Sequence, residues 1–380
     1  MRILFTVQGE GRGHMTQALA VHRNLSRWGH ELVGVAAGVH DDRALPDYFA
    51  SGFSVPVTLL ESPGFVFHES RSIDVPATLA ATLRRMPVYR DSIARLRALV
   101  RDTRPDLVIN FFEPLTGLLQ LIKPLPVPVL AIAHQHMIEH PAYVKRPGGA
   151  IDRMGLVLFA GLVGARSTKL ALSLTPAEDL PARRLLVGPP LLRPELFDIM
   201  PSRGDYVLVY LVNHGYSKEI RAWHERNPAV PLHCFYDRPG APPEEVVDET
   251  LTFHRLDGKK FLQLMAGCRA MVSTAGFESV CEAAWLGKPV LVVPVQNHAE
   301  QRLNAMDVVE AGLGIADGTF RLDRLAELPE QVDNSGFRAW AGRSDEVLER
   351  AIRQALLLGD TRHARPSGAP VAAPSSSHPS

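Results

Sequence analysis

The chain is poor in cysteine, balanced in charge and free of any apolar run long enough to cross a membrane. Its 380 residues include three scattered cysteines, Cys234, Cys268 and Cys281, none of them in a Cys-x-x-Cys pair. This pattern excludes a disulfide framework and a cysteine zinc site, and it is typical of reduced thiols in a cytoplasmic protein. Basic and acidic residues both number 41, so the net charge gives no reason to expect nucleic acid as a partner.

The longest apolar stretch is MGLVLFAGLVGA at 154–165, which ends at Arg166. A helix that spans a bilayer needs about 20 apolar residues, so this stretch predicts a buried helix instead. The N-terminal MRILFTV passes directly into a glycine-rich turn rather than into the cleavage site of an export signal. We therefore expect a cytoplasmic protein, and we keep open a peripheral contact with the inner face of the membrane.

Short apolar runs alternate with amphipathic stretches along the chain, which is typical of parallel sheets covered by helices. The expected strands are 2–7, 31–36, 106–110, 127–132 and 169–174, and then 206–211, 231–236, 251–256, 270–274 and 290–294. The expected helices include 14–28, 76–101 and 150–165. Because the pattern restarts after a proline-rich segment, we predict an α/β fold with two Rossmann-like, doubly wound domains facing across a cleft.

The predicted domain organisation follows from this restart and from composition. The end of the chain is rich in Pro, Ser and Ala and has no aromatic residue, so it cannot build a core. The predicted segments are an N-terminal domain at 1–190, a linker at 191–205, a C-terminal domain at 206–335, a helix at 336–358 that packs back on the first domain, and a disordered tail at 359–380.

A glycine-rich turn, GEGRGHMTQALA at 9–20, joins the first strand to the first helix. A dinucleotide fingerprint needs Gly-x-Gly-x-x-Gly and an acid about 20 residues further on, at the end of the second strand. Here the spacing is Gly-x-Gly-x-Gly, and the strand ELVGVAAG ends without an acid. An NAD-dependent oxidoreductase is thus disfavoured, and no cofactor is expected. The turn still brings backbone N–H groups and His14 to the cleft.

The most informative segment is VSTAGFESVCEAAWLGKPVLVVPVQNHAEQRLNA at 272–305. Gly276 opens a helix after a strand, where free N–H groups and the helix dipole favour a diphosphate. Glu282 lies less than two turns further along this helix and could accept hydrogen bonds from ribose hydroxyls. Glu300 and Gln301 follow the next strand and could bind sugar hydroxyls. The ordinary alternatives are a surface acid for Glu282 and helix-start polar residues for the other two.

This segment resembles the donor-binding signature of the GT-B glycosyltransferases, in the group that contains the UDP-glycosyltransferases and the N-acetylglucosaminyltransferase of peptidoglycan synthesis. The turn GEGRGHMTQALAV is similar to the N-terminal glycine-rich loop of that group. The resemblance implies a hexosyltransferase whose partners are a nucleotide diphosphate sugar, with UDP favoured, and a hydroxyl acceptor. The donor contacts that it implies are Gly276, Phe277 and Ser279 for the diphosphate, Glu282 for the ribose, Glu300 and Gln301 for the sugar, and Arg255 and Leu256 for the base. Glutamate at position 300 replaces the aspartate of the family pair.

His14 matches the histidine of the family's N-terminal loop and is the expected base, because the pKa of imidazole lies near neutrality. The alternative is a solvated histidine at a helix start. Glu113 follows a buried strand and is the expected acid that orients the imidazole, with a helix cap before Pro114 as its alternative. The chain contains no Asp-x-Asp, so no metal is expected, and a helix N-terminus would stabilise the departing diphosphate. Direct displacement by the acceptor would invert the anomeric centre.

The acceptor side is assigned to the first domain. Gly11 and Gly13 keep the turn close to the reacting end of the donor, and His134 and His136 would face one way on an extended backbone. A metal pair is the alternative for the two histidines, but no third ligand accompanies them. The acceptor is a lipid, a glycan or a small molecule, and the loops at 37–75 and 134–150 supply apolar and aromatic residues for it.

Two other functions are compatible with this kind of site. A sugar-nucleotide 2-epimerase would carry Ser-Gly-Gly followed by consecutive acids where this chain has TAGFESVCE. A non-catalytic module that senses a nucleotide sugar would have no need of His14 and Glu113. Both stay as alternatives to glycosyl transfer.

Overall fold

A computed structural model gives the arrangement of most of the chain. It describes residues 1–9, 11–40, 45–64, 67–68, 72–73, 75–144, 150–211, 214–238, 240–296, 298–320 and 322–363. Within these ranges, no helix is both long and apolar enough to cross a membrane.

The strands follow one another at the positions that the apolar runs predict, with several short strands in addition. In chain order they are β1 (Arg2–Gln8), β2 (Glu31–Val39), β3 (Val57–Glu61), β4 (Phe67–His68), β5 (Ser72–Ile73), β6 (Leu107–Phe111), β7 (Val129–Ala133), β8 (Thr168–Leu172), β9 (Leu185–Gly188), β10 (Val207–Leu211), β11 (Leu232–Tyr236), β12 (Glu244–Val246), β13 (Leu251–Arg255), β14 (Ala270–Ser273), β15 (Val290–Val292) and β16 (Gly314–Ala316).

The helices lie between these strands. They are α1 (Gly13–Arg27), α2 (Asp47–Ala50), α3 (Val75–Arg84), α4 (Met86–Thr103), α5 (Pro114–Ile122), α6 (Pro141–Val144), α7 (Ala150–Val163), α8 (Ser217–Arg226), α9 (Gly258–Gly267), α10 (Phe277–Trp285), α11 (Ala299–Glu310), α12 (Ser335–Ala341) and α13 (Ser344–His363). Short 3-10 turns cover His134–Glu139, Pro181–Arg183, Pro194–Asp198, His214–Tyr216 and Asp323–Glu327.

Two seven-stranded sheets organise the described part of the chain. The first sheet has the order β3-β2-β1-β6-β7-β8-β9, and the second has the order β12-β13-β11-β10-β14-β15-β16. Every neighbouring pair is parallel except β12 and β13. In each sheet the order changes direction beside the first strand, β1 or β10, which is where ligands bind in doubly wound folds.

Both faces of each sheet are buried. In β1, Ile3 and Phe5 belong to one apolar core and Leu4 belongs to another, because successive side chains of a strand point to opposite faces. Strands β6 and β7 are buried at every position, as expected for parallel strands covered on two sides. Helix α13, from the far end of the chain, packs against β7, β8 and β9 of the first sheet.

Three sequence predictions need correction. The single helix expected at 76–101 is two helices, α3 and α4, because Pro87 lies in the first turn of α4 and cannot continue a preceding helix. The helix expected at 336–358 is also two, α12 and α13. The disordered tail expected at 359–380 begins too early, since α13 continues to His363; residues 364–380 lie outside the described ranges.

Candidate functional site

The glycine-rich turn presents His14 at the junction between the two sheets. Gly11 has φ +92°, a conformation that favours glycine, and α1 begins two residues later. A side chain at Gly13 would meet the Cγ of Glu278, on the other half of the molecule, at 3.1 Å. The two glycines therefore turn the chain tightly and allow α1 to approach α10.

The imidazole of His14 is buried and bonded on both nitrogens. Its Nδ1 lies 3.3 Å from Oε1 of Gln17, and its Nε2 lies 3.4 Å from Nε2 of Gln135. Gln17 donates to Glu278 at 2.5 Å, and Gln135 donates to Glu300 at 3.0 Å. A chain of polar side chains thus crosses from one half of the molecule to the other through His14.

Burial controls the protonation of His14. Desolvation lowers its pKa below 6.5, and the nearby Glu300 and the hydrogen bond to Gln17 only partly oppose this effect. The ring also stacks on Phe112, with centroids 5.4 Å apart. Phe112 has φ +58°, an unusual conformation for a bulky residue. The lowered pKa of His14 favours the neutral imidazole, the form in which a base acts.

Glu113 does not orient His14, contrary to the prediction. Its Oε1 accepts hydrogen bonds from the hydroxyl of Ser62 at 2.7 Å and from the N–H of Leu115 at 3.1 Å, so it caps α5. No hydrogen bond or ion pair joins it to His14 in the described part of the chain. The capping alternative is correct, because the turn before Pro114 directs the carboxyl group back to its own helix. Complete burial raises the pKa of Glu113 to about 7.

The two histidines after β7 do not share a face. They lie in a 3-10 turn, so the extended backbone expected for them is wrong. His134 stacks on Phe277 at 4.1 Å, and its Nδ1 and Nε2 lie 2.7 Å from the carbonyl oxygen of Leu172 and 3.2 Å from Asp307. His136 is fully buried, and desolvation lowers its pKa to about 3.

Metal binding finds no support at these histidines. Over the described residues, no three His, Cys, Asp or Glu side chains come together in a way that could hold a metal ion. Phe277, the first residue of α10, is partly buried and stacks on His134 across the two halves of the molecule.

The candidate diphosphate turn lies between β14 and α10. Ala275 has φ +48°, and its carbonyl oxygen accepts a hydrogen bond from Asn304 at 2.9 Å. Gly276 is the N-cap of α10 and has no side chain of its own to cap the helix, while the hydroxyl of Ser279 lies 3.4 Å from the Gly276 carbonyl oxygen. Backbone N–H groups at such a helix start are a ready site for an anion.

Glu282 is buried and held by an arginine that the sequence patterns did not single out. Arg193 donates its Nε and Nη2 to the two carboxylate oxygens of Glu282, at 2.5 and 2.9 Å. Its Nη1 donates to the carbonyl oxygen of Gly258 at 3.4 Å. Arg193 lies in the proline-rich linker, where its only sequence signal is a cation among apolar residues. It joins Glu282 to the start of α9, which follows Arg255 and Leu256 closely in the chain.

The remaining predicted donor residues separate into two groups. Glu300 faces the first half of the molecule through Gln135, whereas Gln301 is buried and accepts from the N–H of Val295 at 2.8 Å. Arg255 is exposed at the end of β13, and Leu256 packs on the core of the second sheet. Glu300 therefore lies at the junction of the two halves, beside residues that no sequence pattern singled out: Gln17, Gln135, Glu278 and Phe112.

Comparison with known proteins agrees with this architecture. A glycosyltransferase of Methanosarcina acetivorans described as uncharacterized is 23% identical over 335 residues, which cover 83% of this chain and 85% of that protein. The UDP-N-acetylglucosamine–N-acetylmuramyl-(pentapeptide) pyrophosphoryl-undecaprenol N-acetylglucosamine transferase of Mycolicibacterium vanbaalenii is 24% identical over 399 residues, covering 94% of this chain and 91% of that protein.

Solved structures identify the fold. Arabidopsis thaliana UGT89C1 complexed with UDP-L-rhamnose superposes with a TM-score of 0.57 over 95% of this chain and 98% of that one, at 15% identity. This likeness confirms the predicted fold, GT-B with two Rossmann-like units. The relatives and the family model confirm the prediction that the protein is a glycosyltransferase. The family model described as glycosyl transferase family 1 matches residues 1–329, and the chain belongs to that family.

Proposed function

We propose that the protein transfers a hexose from a uridine diphosphate sugar to a hydroxyl acceptor, with inversion and without a metal or another cofactor. The observation that carries this proposal is the meeting of His14 with the N-terminal turn of α10, through the Gln17–Glu278 hydrogen bond of 2.5 Å. It brings a neutral base and a helix N-terminus to one place. These are the two groups that displacement of a diphosphate by an alcohol needs.

On the donor side, the N–H groups after Gly276 would stabilise the negative charge that develops on the departing diphosphate. Glu282 would accept hydrogen bonds from the ribose hydroxyls, and Glu300 from those of the sugar. Arg255 and Leu256 would contact the base. A fixed helix dipole performs the task that a metal ion performs at other diphosphate sites, which supports metal-independent transfer.

On the acceptor side, His14 would remove the proton from the attacking hydroxyl group as its oxygen bonds to the anomeric carbon. The bond to the diphosphate breaks on the opposite face, so the anomeric configuration inverts. The choice of uridine rests on similar proteins: one is described as complexed with UDP-L-rhamnose and another by its UDP-N-acetylglucosamine donor. The acceptor class stays open, and a lipid acceptor would bring this cytoplasmic protein to the inner face of the membrane.

A thermal-shift panel with UDP, GDP, dTDP and NAD tests the donor class. A ligand that binds only the native state raises Tm, and we expect UDP to give the largest increase. An increase with NAD alone would contradict the proposal, and a larger increase with dTDP would replace uridine by thymidine. Product mass spectrometry after incubation of UDP-sugars with lipid, glycan and small-molecule acceptors then identifies the reaction.

The role of His14 is tested by His14→Ala against His22→Ala, a matched change on the same helix. We expect His14→Ala to abolish transfer while UDP still raises Tm, and His22→Ala to retain transfer. Activity of His14→Ala at the wild-type rate would exclude His14 as the base. Inversion is read from the anomeric configuration of the product by NMR.

A further inference from the structure

The polar chain through His14 determines which ring nitrogen carries the proton. Glu278 projects from the first turn of α10 and is buried, as are Gln17 and His14. Oε1 of Glu278 accepts from Gln17, and Oε2 is buried and has no hydrogen-bond partner among the described residues. An acid of the donor helix is therefore joined to the candidate base through one glutamine, as Glu300 is joined to it through Gln135.

The orientation of the two amide groups follows from their acidic partners. Oε1 of Glu278 accepts from Gln17 both when the carboxyl group is ionised and when its proton is on Oε2, so the NH2 of Gln17 faces Glu278 and its carbonyl oxygen faces Nδ1 of His14. By the same reasoning, the NH2 of Gln135 faces Glu300 and also points to Nε2 of His14. A carbonyl oxygen opposite Nδ1 requires a proton there, and an amide NH2 opposite Nε2 requires a lone pair.

We propose that Gln17 and Glu278 are positioning residues that hold His14 as the Nδ1–H tautomer, with the basic lone pair on Nε2. They take the place of the single acid that orients the histidine in other acid–histidine pairs. Gln17 belongs to the half of the molecule with the first sheet, and Glu278 to the half with the second. The basic nitrogen is thus directed only when the two halves are in contact.

The surroundings of Glu278 fit this arrangement. Desolvation raises its pKa to about 8, with the Gln17 hydrogen bond and Arg193 only partly opposing this. A carboxyl group that keeps its proton on the unpartnered Oε2 still offers Oε1 as an acceptor to Gln17. A neutral group also avoids repulsion with a diphosphate at the start of α10. The orienting contact therefore does not require a buried negative charge beside the donor.

The tautomer is measured directly on the full chain. We label the histidine nitrogens with 15N and record long-range 1H–15N spectra at pH 7.5, assigning His14 by the signals that His14→Gln removes. We expect Nδ1 to be protonated in the wild type. Gln17→Leu and Glu278→Leu should raise the share of Nε2–H, the tautomer that a free histidine side chain prefers, against the remaining contact of Nε2 with Gln135. Gln17→Glu should retain Nδ1–H, because its carboxylate still accepts opposite Nδ1.

Gln120→Leu is the matched control. Gln120 is another buried glutamine, and its Oε1 accepts from the N–H of Leu125 at 3.0 Å, away from His14. We expect this control to leave the His14 signals unchanged. An Nε2–H tautomer in the wild type would overturn the proposal, and so would an unchanged His14 spectrum in both folded variants, Gln17→Leu and Glu278→Leu.

This inference rests on the proposed role of His14 as base, and the two can fail separately. If His14→Ala retains full transfer, His14 is not the base, but the tautomer spectra still show whether Gln17 and Glu278 orient its ring. If both hold, Gln17→Leu lowers kcat about tenfold or more while the donor KM stays within about twofold, because the base is misdirected and the donor contacts remain. Gln17→Glu should restore most of kcat. Equal kcat for Gln17→Leu and wild type would contradict the positioning role in catalysis.

Discussion

Replacing Glu113 by Gln should remove one large contribution to the pH dependence of stability. The carboxyl group is completely buried, and within the described ranges only Oε1 has hydrogen-bond partners, Ser62 and the N–H of Leu115. Oε2 lies against Gly38, where an added Cβ would be 1.9 Å away. Glutamine keeps the accepting oxygen and the shape of the side chain but cannot ionise, so the cap survives and the titration disappears.

The magnitude follows from the pKa. Desolvation raises the pKa of Glu113 from 4.5 to about 7. Between these two values the unfolded chain loses the proton while the folded chain keeps it, so the free energy of unfolding falls as pH rises through this window. A change of one in pKa corresponds to about 1.4 kcal/mol, which gives a loss of about 3 kcal/mol by pH 7.5. Glutamine at position 113 does not titrate, so the free energy of unfolding of Glu113→Gln lacks this fall.

Urea unfolding at several pH values from 4 to 8 tests the prediction. The free energy of unfolding of Glu113→Gln minus that of the wild type should rise by about 3 kcal/mol across this range. Glu330→Gln is the control, because the Glu330 side chain is 85% exposed and keeps its hydration when the chain unfolds. Parallel pH profiles for Glu113→Gln and the wild type would refute the assignment of a raised pKa to Glu113.

Three other predictions concern the junction and the packing of the first sheet. Because burial lowers the pKa of His14, its 15N titration and the acidic limb of kcat/KM should both lie below 6.5; a midpoint above 6.5 would contradict this. Glu282→Gln leaves the partly buried Arg193 without its carboxylate, so the free energy of unfolding in urea should fall by up to about 3–5 kcal/mol, and an unchanged midpoint would show that the ion pair is dispensable. Gly117→Ala places a Cβ 2.0 Å from a backbone oxygen of α7 and should cost about 1–3 kcal/mol, whereas Gly155→Ala, whose Cβ meets no described atom within 4 Å, should cost nothing.

The sequence predicts the central strands well and the outer ones poorly. Strand β7 is a continuous apolar run, and Asn110 is the single polar residue of β6, because both faces of a parallel sheet are covered. By contrast, β9 and β16 have four and three residues, too few for a periodic pattern. The edge strand β3 is only partly buried and mixes polar and apolar residues. Their pairing is decided by neighbours that are distant in the chain.

The difference between local and long-range features also explains which residues of the site could be predicted from the sequence. Gly276 and Glu282 are predictable because a strand, a helix start and a helical register are local features. The partners of His14 are not local: Gln135 is 121 residues away, and Glu278 is 261 residues from Gln17. Glutamine has no charge and no special backbone preference, so nothing in its sequence context marks these positions. Glu113 shows the opposite case. A long-range contact with His14 was expected of it, but its carboxyl group caps its own helix, which is a local contact.

The acidic side chains proposed to face the donor are all bonded within the protein. Glu282 binds Arg193, Glu300 binds Gln135, and both are buried or half-buried, where a carboxylate without a partner is costly. A ribose or sugar hydroxyl would therefore replace an existing partner, and donor affinity would be the difference between two sets of hydrogen bonds. Gln135 contacts both Glu300 and Nε2 of His14. A sugar hydroxyl that takes Glu300 from Gln135 would thus also release the lone pair of the base, which couples donor binding to the exposure of Nε2 through one amide group.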